Sequence, residues 1–518
     1  MKRRALILLL LAAALVLSSC SGPAPDQPSA TKPVSLTALQ YEIENMAVDF
    51  NNLWFFRQIE EQTGVHVTFS DVKDSEWTSA VSMTFAKGTG TLPDLILRGS
   101  LDVEEYGVSR HQLIALDEYM DRGLLPNYTA RLEESGLKNQ LTASDGHIYE
   151  LGFLISQGVN TNGHFFINRD WLNTLSLKTP ETVEELTEVL RHFRSDDPNR
   201  NGLQDEIPLE FTFDDNNTGI YNLFSFFGLP LNEDYVTLDE SGKVCFSPAD
   251  PAFLEAVEWL HSLYTEGLLD IGFISQGSNI WADKVNQGNV GMFSYWRLQN
   301  TALSPSVISM YEVMAPVHAE GRKACLPRLI DLIELGAALT VDNRDVEASL
   351  RWLDAQFETE NMLVSQNGAV GDTLIRQEDG RYAVAYVPAD NALYRTVPVI
   401  CGQFFAPAEY YDSVYVPAPH REEKAGYCRL YEEAGVLEST SCKLLTNVAP
   451  RTPEEDARIN RLHNRLKSVV DSALVEMITK GVTEESAADY TARLRDAGWE
   501  EYRGIYQDVY DRWADEHP

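Results

Sequence analysis

Between positions 197 and 208 the chain reads Asp-Pro-Asn-Arg-Asn-Gly-Leu-Gln-Asp-Glu-Ile-Pro. Few stretches constrain a fold more, because this one dictates where side-chain oxygens must point. Oxygen-bearing side chains recur at Asp197, Asn199 and Asn201, and Gly202 follows. Alternate residues turn inward in a Ca²⁺ loop, and a glycine permits its sharp bend. Leu203 then offers a backbone carbonyl at the seventh position and Asp205 a carboxylate at the ninth. The usual loop ends on a bidentate glutamate at the twelfth position, where this chain has Pro208. Glu206, at the tenth, is the natural substitute. The expectation is one structural Ca²⁺ held by Asp197, Asn199, Asn201, the Leu203 carbonyl, Asp205 and Glu206. The alternative is an Asx-rich polar turn with no metal.

Ahead of the loop stand Asn168-Arg169-Asp170-Trp171-Leu172, Leu177 and Pro180-Glu181-Thr182-Val183-Glu184-Glu185-Leu186. With the loop and its Asp205-Glu206-Ile207-Pro208 end, this combination resembles the lipoprotein branch of the family 1 extracellular solute-binding proteins. Those proteins deliver ligands, mostly sugars, to ABC importers. Thr63-Gly64-Val65 and Leu92-Pro93-Asp94-Leu95 also recur in that family. The resemblance implies an α/β protein of two lobes joined by a hinge, with a helical C-terminal extension. It places a first lobe at 34–155, with 330–365 returning to it. A second lobe at 156–329 carries the Ca²⁺ loop, and 366–518 returns there. Ligand would sit between the lobes and be enclosed by hinge closure.

The chain starts Lys2-Arg3-Arg4, followed by an apolar run over 5–17. This is the charged region and apolar core of a secretory signal, too short to span a bilayer as a permanent helix. Leu17-Ser18-Ser19-Cys20 resembles a bacterial lipobox. That likeness makes Cys20 the lipidated mature N-terminus, with ordinary secretion as the alternative. Residues 21–33 are rich in Pro, Ser and Ala and read as a tether. The protein is thus expected outside the cytoplasm, bound to the cell membrane only through its lipid, as a monomer. Cys245, Cys325, Cys401, Cys428 and Cys442 form no C-x-x-C pair, so a zinc or thioredoxin-type site has little support.

At 518 residues the chain exceeds one hydrophobic core. Its formal charge of −36 repels phosphates, which disfavours nucleic acid and anionic membrane surfaces as partners. Alternation predicts strands over 34–40 and 65–69, and helical spacing predicts helices over 51–64 and 77–87. A strand over 92–97 completes the α/β rhythm of an open lobe. Further strands are expected over 164–168, 290–295, 311–317 and 335–341, and helices over 251–267, 345–357, 452–480 and 483–513.

Catalytic motifs are absent: there is no G-x-S-x-G, no H-E-x-x-H and no Walker A loop. A glycosidase-like pair among the many carboxylates is left open as an alternative function. Aromatics carry more information, since sugar C–H faces stack on rings. Trp296 and Arg297 directly follow the strand over 290–295, and strand ends bind ligands in α/β lobes. Trp296 either stacks on ligand or packs in the core, and the resemblance favours the cleft. Asn52 is a ligand contact or a helix N-cap, Trp54 a contact or a helix packing residue, and Arg98 a contact or a surface arginine. The expected ligand is an oligosaccharide, with a peptide or other polar metabolite as the alternative. The expected macromolecular partner is an ABC permease.

Overall fold

The computed structural model describes residues 34–516 apart from 43–48, 156–160, 162, 214, 232–233, 240, 299–302, 328–331, 372–373, 385–418 and 439–450. Cys20, the tether, Cys401 and Cys442 lie outside the described residues. Nine strands form two sheets. The first sheet holds β1 (Val34–Glu42), β2 (Val65–Lys73), β3 (Leu95–Leu97), β4 (Glu150–Ile155) and the late strand β9 (Leu332–Leu339), in the order β2-β1-β3-β9-β4. The second holds β5 (His164–Asn168), β6 (Ile207–Glu210), β7 (Val290–Tyr295) and β8 (Tyr311–Met314), in the order β8-β5-β7-β6.

Period-two alternation explains the first sheet. Leu95 and Leu97 face one core with Leu36, Ala38 and Leu339, while Ile96 faces another with Trp77, Val81 and Phe85. Trp77, Val81 and Phe85 recur every four residues on the helix Asp74–Ala86, whose acidic first turn complements the helix dipole. In the second sheet every residue of β5 is buried, as a central strand covered on both faces requires. Phe165 and Ile167 face a core that includes the C-terminal helices, and Phe166 faces one with Trp281, Phe293 and Tyr311. Among the described residues no core cluster spans both sheets, so each lobe is stabilised by its own burial.

Several boundaries differ from the sequence expectation. The stretch 51–64 is not one helix. A short turn, Phe50–Asn52, precedes the helix Trp54–Thr63, and the break at Leu53 lets Leu53 point into the first core. Gly64 ends the helix at φ +71°, a conformation natural to glycine. The helix expected over 483–513 is two helices, Glu484–Ala497 and Trp499–Glu516, divided by Gly498 at φ +95°. The helix Pro453–Lys480 starts on a capping box of Thr452 and Glu455. Its buried residues Ile459, Leu462, Leu466, Val470 and Leu474 pack on the second lobe. The segment after 365 does not leave the first lobe at once. Leu374 is fully buried in the first core and Tyr382 packs against it.

The strand directions place the site. β1, β2 and β3 run parallel, β9 runs against β3, and β4 runs against β9. The ends of β1 to β4 and the start of β9 therefore share one edge. At that edge the chain leaves for the second sheet after Ile155 and returns at Leu332, and these two residues are partners in the ladder. In the second sheet the start of β5 pairs with the end of β7, His164 opposite Tyr295, and β6 runs parallel to β7. The ends of β6, β7 and β8 thus face the crossings, while the start of β6 points away from them.

Candidate functional site

Each lobe brings strand ends to the edge at the crossings. On the first, β3 gives way to Arg98, half-buried, at φ +57°. Its backbone N–H donates to the Gly336 carbonyl at 2.6 Å. Glycine is obligatory at 336, since a Cβ there would lie 1.8 Å from the Leu151 carbonyl oxygen. The close approach leaves the Gly336 N–H to the Glu150 carboxyl, at 2.7 Å, and burial pushes that carboxyl up to about 7. Tyr41, near the end of β1, stands edge-on to Trp77 at 5.5 Å. The Trp77 indole in turn donates to the Ser100 carbonyl at 2.8 Å and supports the loop after Arg98. Tyr41 was not singled out from the sequence, although its place at a strand end was the available signal.

Asn52 is exposed and closes the turn before the helix. Its amide donates to Asp49 at 2.6 Å, and Leu53, not Asn52, occupies the N-cap. Trp54 packs edge-on to Phe55 and against the first core.

On the second lobe Trp296 and Arg297 follow β7, as expected, and Trp296 is 39% exposed rather than enclosed in a core. Its neighbour Tyr295 stacks on Trp281 at 4.8 Å. The end of β6 opens into a turn built around Asp215. The carboxylate of Asp215 accepts from the backbone N–H groups of Asn217 and Thr218 at 2.8 and 2.9 Å and from the Thr218 hydroxyl at 3.0 Å. The Asn217 carbonyl accepts from Ser294 of β7 at 2.7 Å, which fixes the turn to the sheet. The side-chain oxygen of Asn217 is buried without a hydrogen-bond partner, an acceptor held beside this edge. Glu210 ends β6 fully buried, pushed up to about 8 by burial, with Gln276 donating to it at 2.6 Å. Sealed from solvent, it is a structural carboxyl.

The acidic loop lies at the opposite end of β6. Asp197 accepts from the N–H groups of Asn201 and Gly202, both at 3.0 Å, and Asn199 and Asn201 fold back over the same turn. Gly202 supplies the bend at φ +75°. The Asn199 and Asn201 amides donate to Asp205 at 3.3 and 3.0 Å, and the Asn201 bond is the main cause of its lowered pKa. Glu206 is 2% exposed, and neither carboxyl oxygen has a hydrogen-bond partner. Burial, with the charges of Asp205 and Asp197 beside it, raises its pKa. Among the described residues no three His, Cys, Asp or Glu side chains converge as a metal cluster. Half the donors of this loop are amides and a carbonyl, and Asp205 is turned onto the amides. The donor set is nevertheless all hard oxygen once the amides rotate, and an orphaned buried carboxylate is what such a cation would satisfy.

No family model matches the chain. Over 486 residues it is 24% identical to the fructooligosaccharide ABC transporter substrate-binding protein FusA of Streptococcus pneumoniae serotype 4, covering 90% of this chain and 88% of that one. Structures of FusA, with kestose and as an EF-hand mutant with fructo-nystose, share the fold at a TM-score of 0.77, 22% identity, and coverage of 93% and 100%. A solute-binding protein of Bifidobacterium longum infantis, described as binding HMO, superposes at 0.81 with 18% identity over 93% and 99%. Alginate-binding protein AlgQ2 without calcium ion superposes at 0.69 with 18% identity over 93% and 99%. The fold and these end-to-end matches agree on one class, the substrate-binding proteins of ABC transporters. That is also the class the motifs resemble.

Proposed function

We propose that this protein captures an oligosaccharide between its lobes and delivers it to an ABC permease, by binding and without turnover. The observation that carries this is the shared edge at the paired crossings. Two separately cored sheets bring Arg98 and Tyr41 from one side and Trp296, Arg297 and the Asp215 turn from the other. A ring for stacking with planar polar groups around it suits a sugar, and FusA and AlgQ2 bind carbohydrates by name. Asn52 and Trp54 lie on the first lobe and complete the proposed contacts. The test is calorimetric and thermal-shift screening of neutral and acidic glycans with peptides as controls, alongside an assay for released product. A glycan that binds without cleavage is expected. Binding of peptides alone, or release of product, would replace the reading.

The acidic loop, on this proposal, holds one structural Ca²⁺ through Asp197, Asn199, Asn201, the Leu203 carbonyl, Asp205 and Glu206. The orphaned Glu206 carboxyl supports it, as do FusA's EF-hand and the naming of calcium for AlgQ2. When bound, the ion supplies charge for three carboxylates and fixes the start of β6. We also propose that Cys20 carries a lipid that anchors a monomer outside the cytoplasm. Lipoprotein LipO of Bacillus subtilis, 22% identical over 61% of this chain, is consistent with that. Among the described residues no helix is long and apolar enough to cross a membrane. Mass spectrometry of the mature N-terminus decides the point, and an unmodified terminus elsewhere would remove it.

A further inference from the structure

The helix Pro419–Glu433 turns one face to the end of the second sheet. Lys424, Tyr427, Cys428 and Tyr431 recur at helical spacing along that face. Tyr431 accepts from the Phe165 N–H at 2.8 Å, and the rings of Tyr427 and Tyr431 lie 5.4 and 5.3 Å from His164. The Cys428 sulfur is 3.8 Å from His164 Nε2, while Nδ1 of the same ring is 3.1 Å from the Trp296 carbonyl oxygen. One turn back, the Lys424 ammonium sits 3.2 Å from the centroid of the Trp296 ring. That Nζ is buried and makes no hydrogen bond, so the indole face is its principal attractive contact. Trp296 is therefore held at its backbone through His164 and at its ring by Lys424, yet 39% of it stays exposed.

We infer that Lys424 is a positioning residue, which clamps one face of the Trp296 indole so that the other stands open as a stacking platform. This rests on the ligand-contact role proposed above for Trp296. A lone tryptophan beyond a strand end would otherwise rotate about two side-chain bonds and lose entropy on ordering against a ligand. An ammonium buried on one face removes that freedom before ligand arrives. The groups facing the ammonium are Trp296 and Arg297 from the strand end, His164 from β5, and Glu423 and Cys428 on its own helix. The Glu423 carboxyl accepts from the Tyr427 hydroxyl through Oε1; its Oε2 is buried without a hydrogen-bond partner and makes no bond to the ammonium. Burial first, and Arg297 beside it, bring the ammonium down to about 8. Its charge is thus lost on mild alkalinisation.

Intrinsic fluorescence of the ligand-free protein tests this. Subtracting the spectrum of Trp296→Phe from the wild type isolates the Trp296 signal. That signal is expected to titrate with a midpoint near 8, to lose the transition in Lys424→Met, and to stay constant to higher pH in Lys424→Arg. On a glycan that binds, Lys424→Met is expected to weaken affinity about tenfold and Lys424→Arg to restore most of it. A Trp296 signal identical in wild type and Lys424→Met across the titration overturns the inference, as does a moved signal with unchanged affinity. Should Lys424→Met fail to fold, the wild-type titration and Lys424→Arg still decide. A signal that behaves as expected when no glycan binds removes the carbohydrate reading and leaves the clamp standing.

Discussion

The two ends of β6 carry polar loops of opposite character. The loop before it gathers its oxygens from ten consecutive positions, Asp197 to Glu206, and leaves a buried carboxyl without a partner. The loop after it centres on Asp215, whose Oδ1 accepts three bonds from its own turn and whose Oδ2 accepts from the Ser278 hydroxyl, and which is tied to β7 through Asn217 and Ser294. The first is incomplete by itself, and on the proposal above a cation would complete it. The second is braced by these bonds and tied to the sheet, with the buried Asn217 side-chain oxygen left without a partner.

Metal removal should break that comparison most strongly. A Ca²⁺ that binds only the folded state adds about 2.7 kcal/mol at a hundredfold excess over its dissociation constant. Chelator should lower the melting temperature, Ca²⁺ should restore it better than Mg²⁺, and Asp197→Ala should abolish the difference. Identical melting with and without chelator, with no metal by elemental analysis, would reduce the loop to a polar turn. Next comes Asp215→Ala, which strands the N–H groups of Asn217 and Thr218 and leaves the Thr218 hydroxyl only its bond with Thr212. We expect a loss of about 2 kcal/mol in denaturant unfolding, independent of Ca²⁺. If chelator changes that loss, the two loops are coupled and the contrast between them fails.

Trp296→Ala should act chiefly on binding. Loss of the stacking ring should weaken glycan affinity by about 1 kcal/mol, with a smaller drop in melting from uncovering the Lys424 ammonium. A large drop in stability would mean that the ring serves the lobe rather than the ligand. The smallest effect is expected far from both loops, at the surface pair His147 and Asp117, 3.0 Å apart. The Asp117 hydrogen bond raises the His147 pKa; burial alone would raise that of Asp117, but the hydrogen bonds from His147 and the Ile148 N–H together outweigh it and lower it. The imidazolium contribution is present below the ordinary histidine value and fades as pH rises through the raised one. That of Asp117 fades as pH falls through its lowered value. NMR titration should find His147 above its ordinary value and returning to it in Asp117→Asn. An unmoved titration in that variant would show the pair to be idle.

Legibility follows the same contrast. The acidic loop could be read because its donors are adjacent in sequence and obey a spacing rule. Trp296 could be flagged because it follows an apolar strand. Lys424 could not, since only the packing of a distant helix against β5 brings it to the indole. Asp215 was missed because a single aspartate in a polar stretch has no periodic signature, and its role comes from turn geometry. Strands and helices fell close to their expected places because both core faces impose period two or near four. Helix boundaries departed at Leu53 and Gly498, where one residue breaks a helical pattern that is otherwise continuous, and the lobe boundary departed after 365, where Leu374 packs back into the first core.

The ladder pair Ile155–Leu332 has a consequence for synthesis. β9 lies between β3 and β4, yet the chain makes it only after all four strands of the second sheet. Until it emerges, β4 has no partner and β3 has one edge bare, so the first lobe cannot close over its core. A chain emerging from the ribosome therefore stays unfinished at its N-terminal end for most of its translation. On the export proposed above, that delay would keep the leading segment threadable.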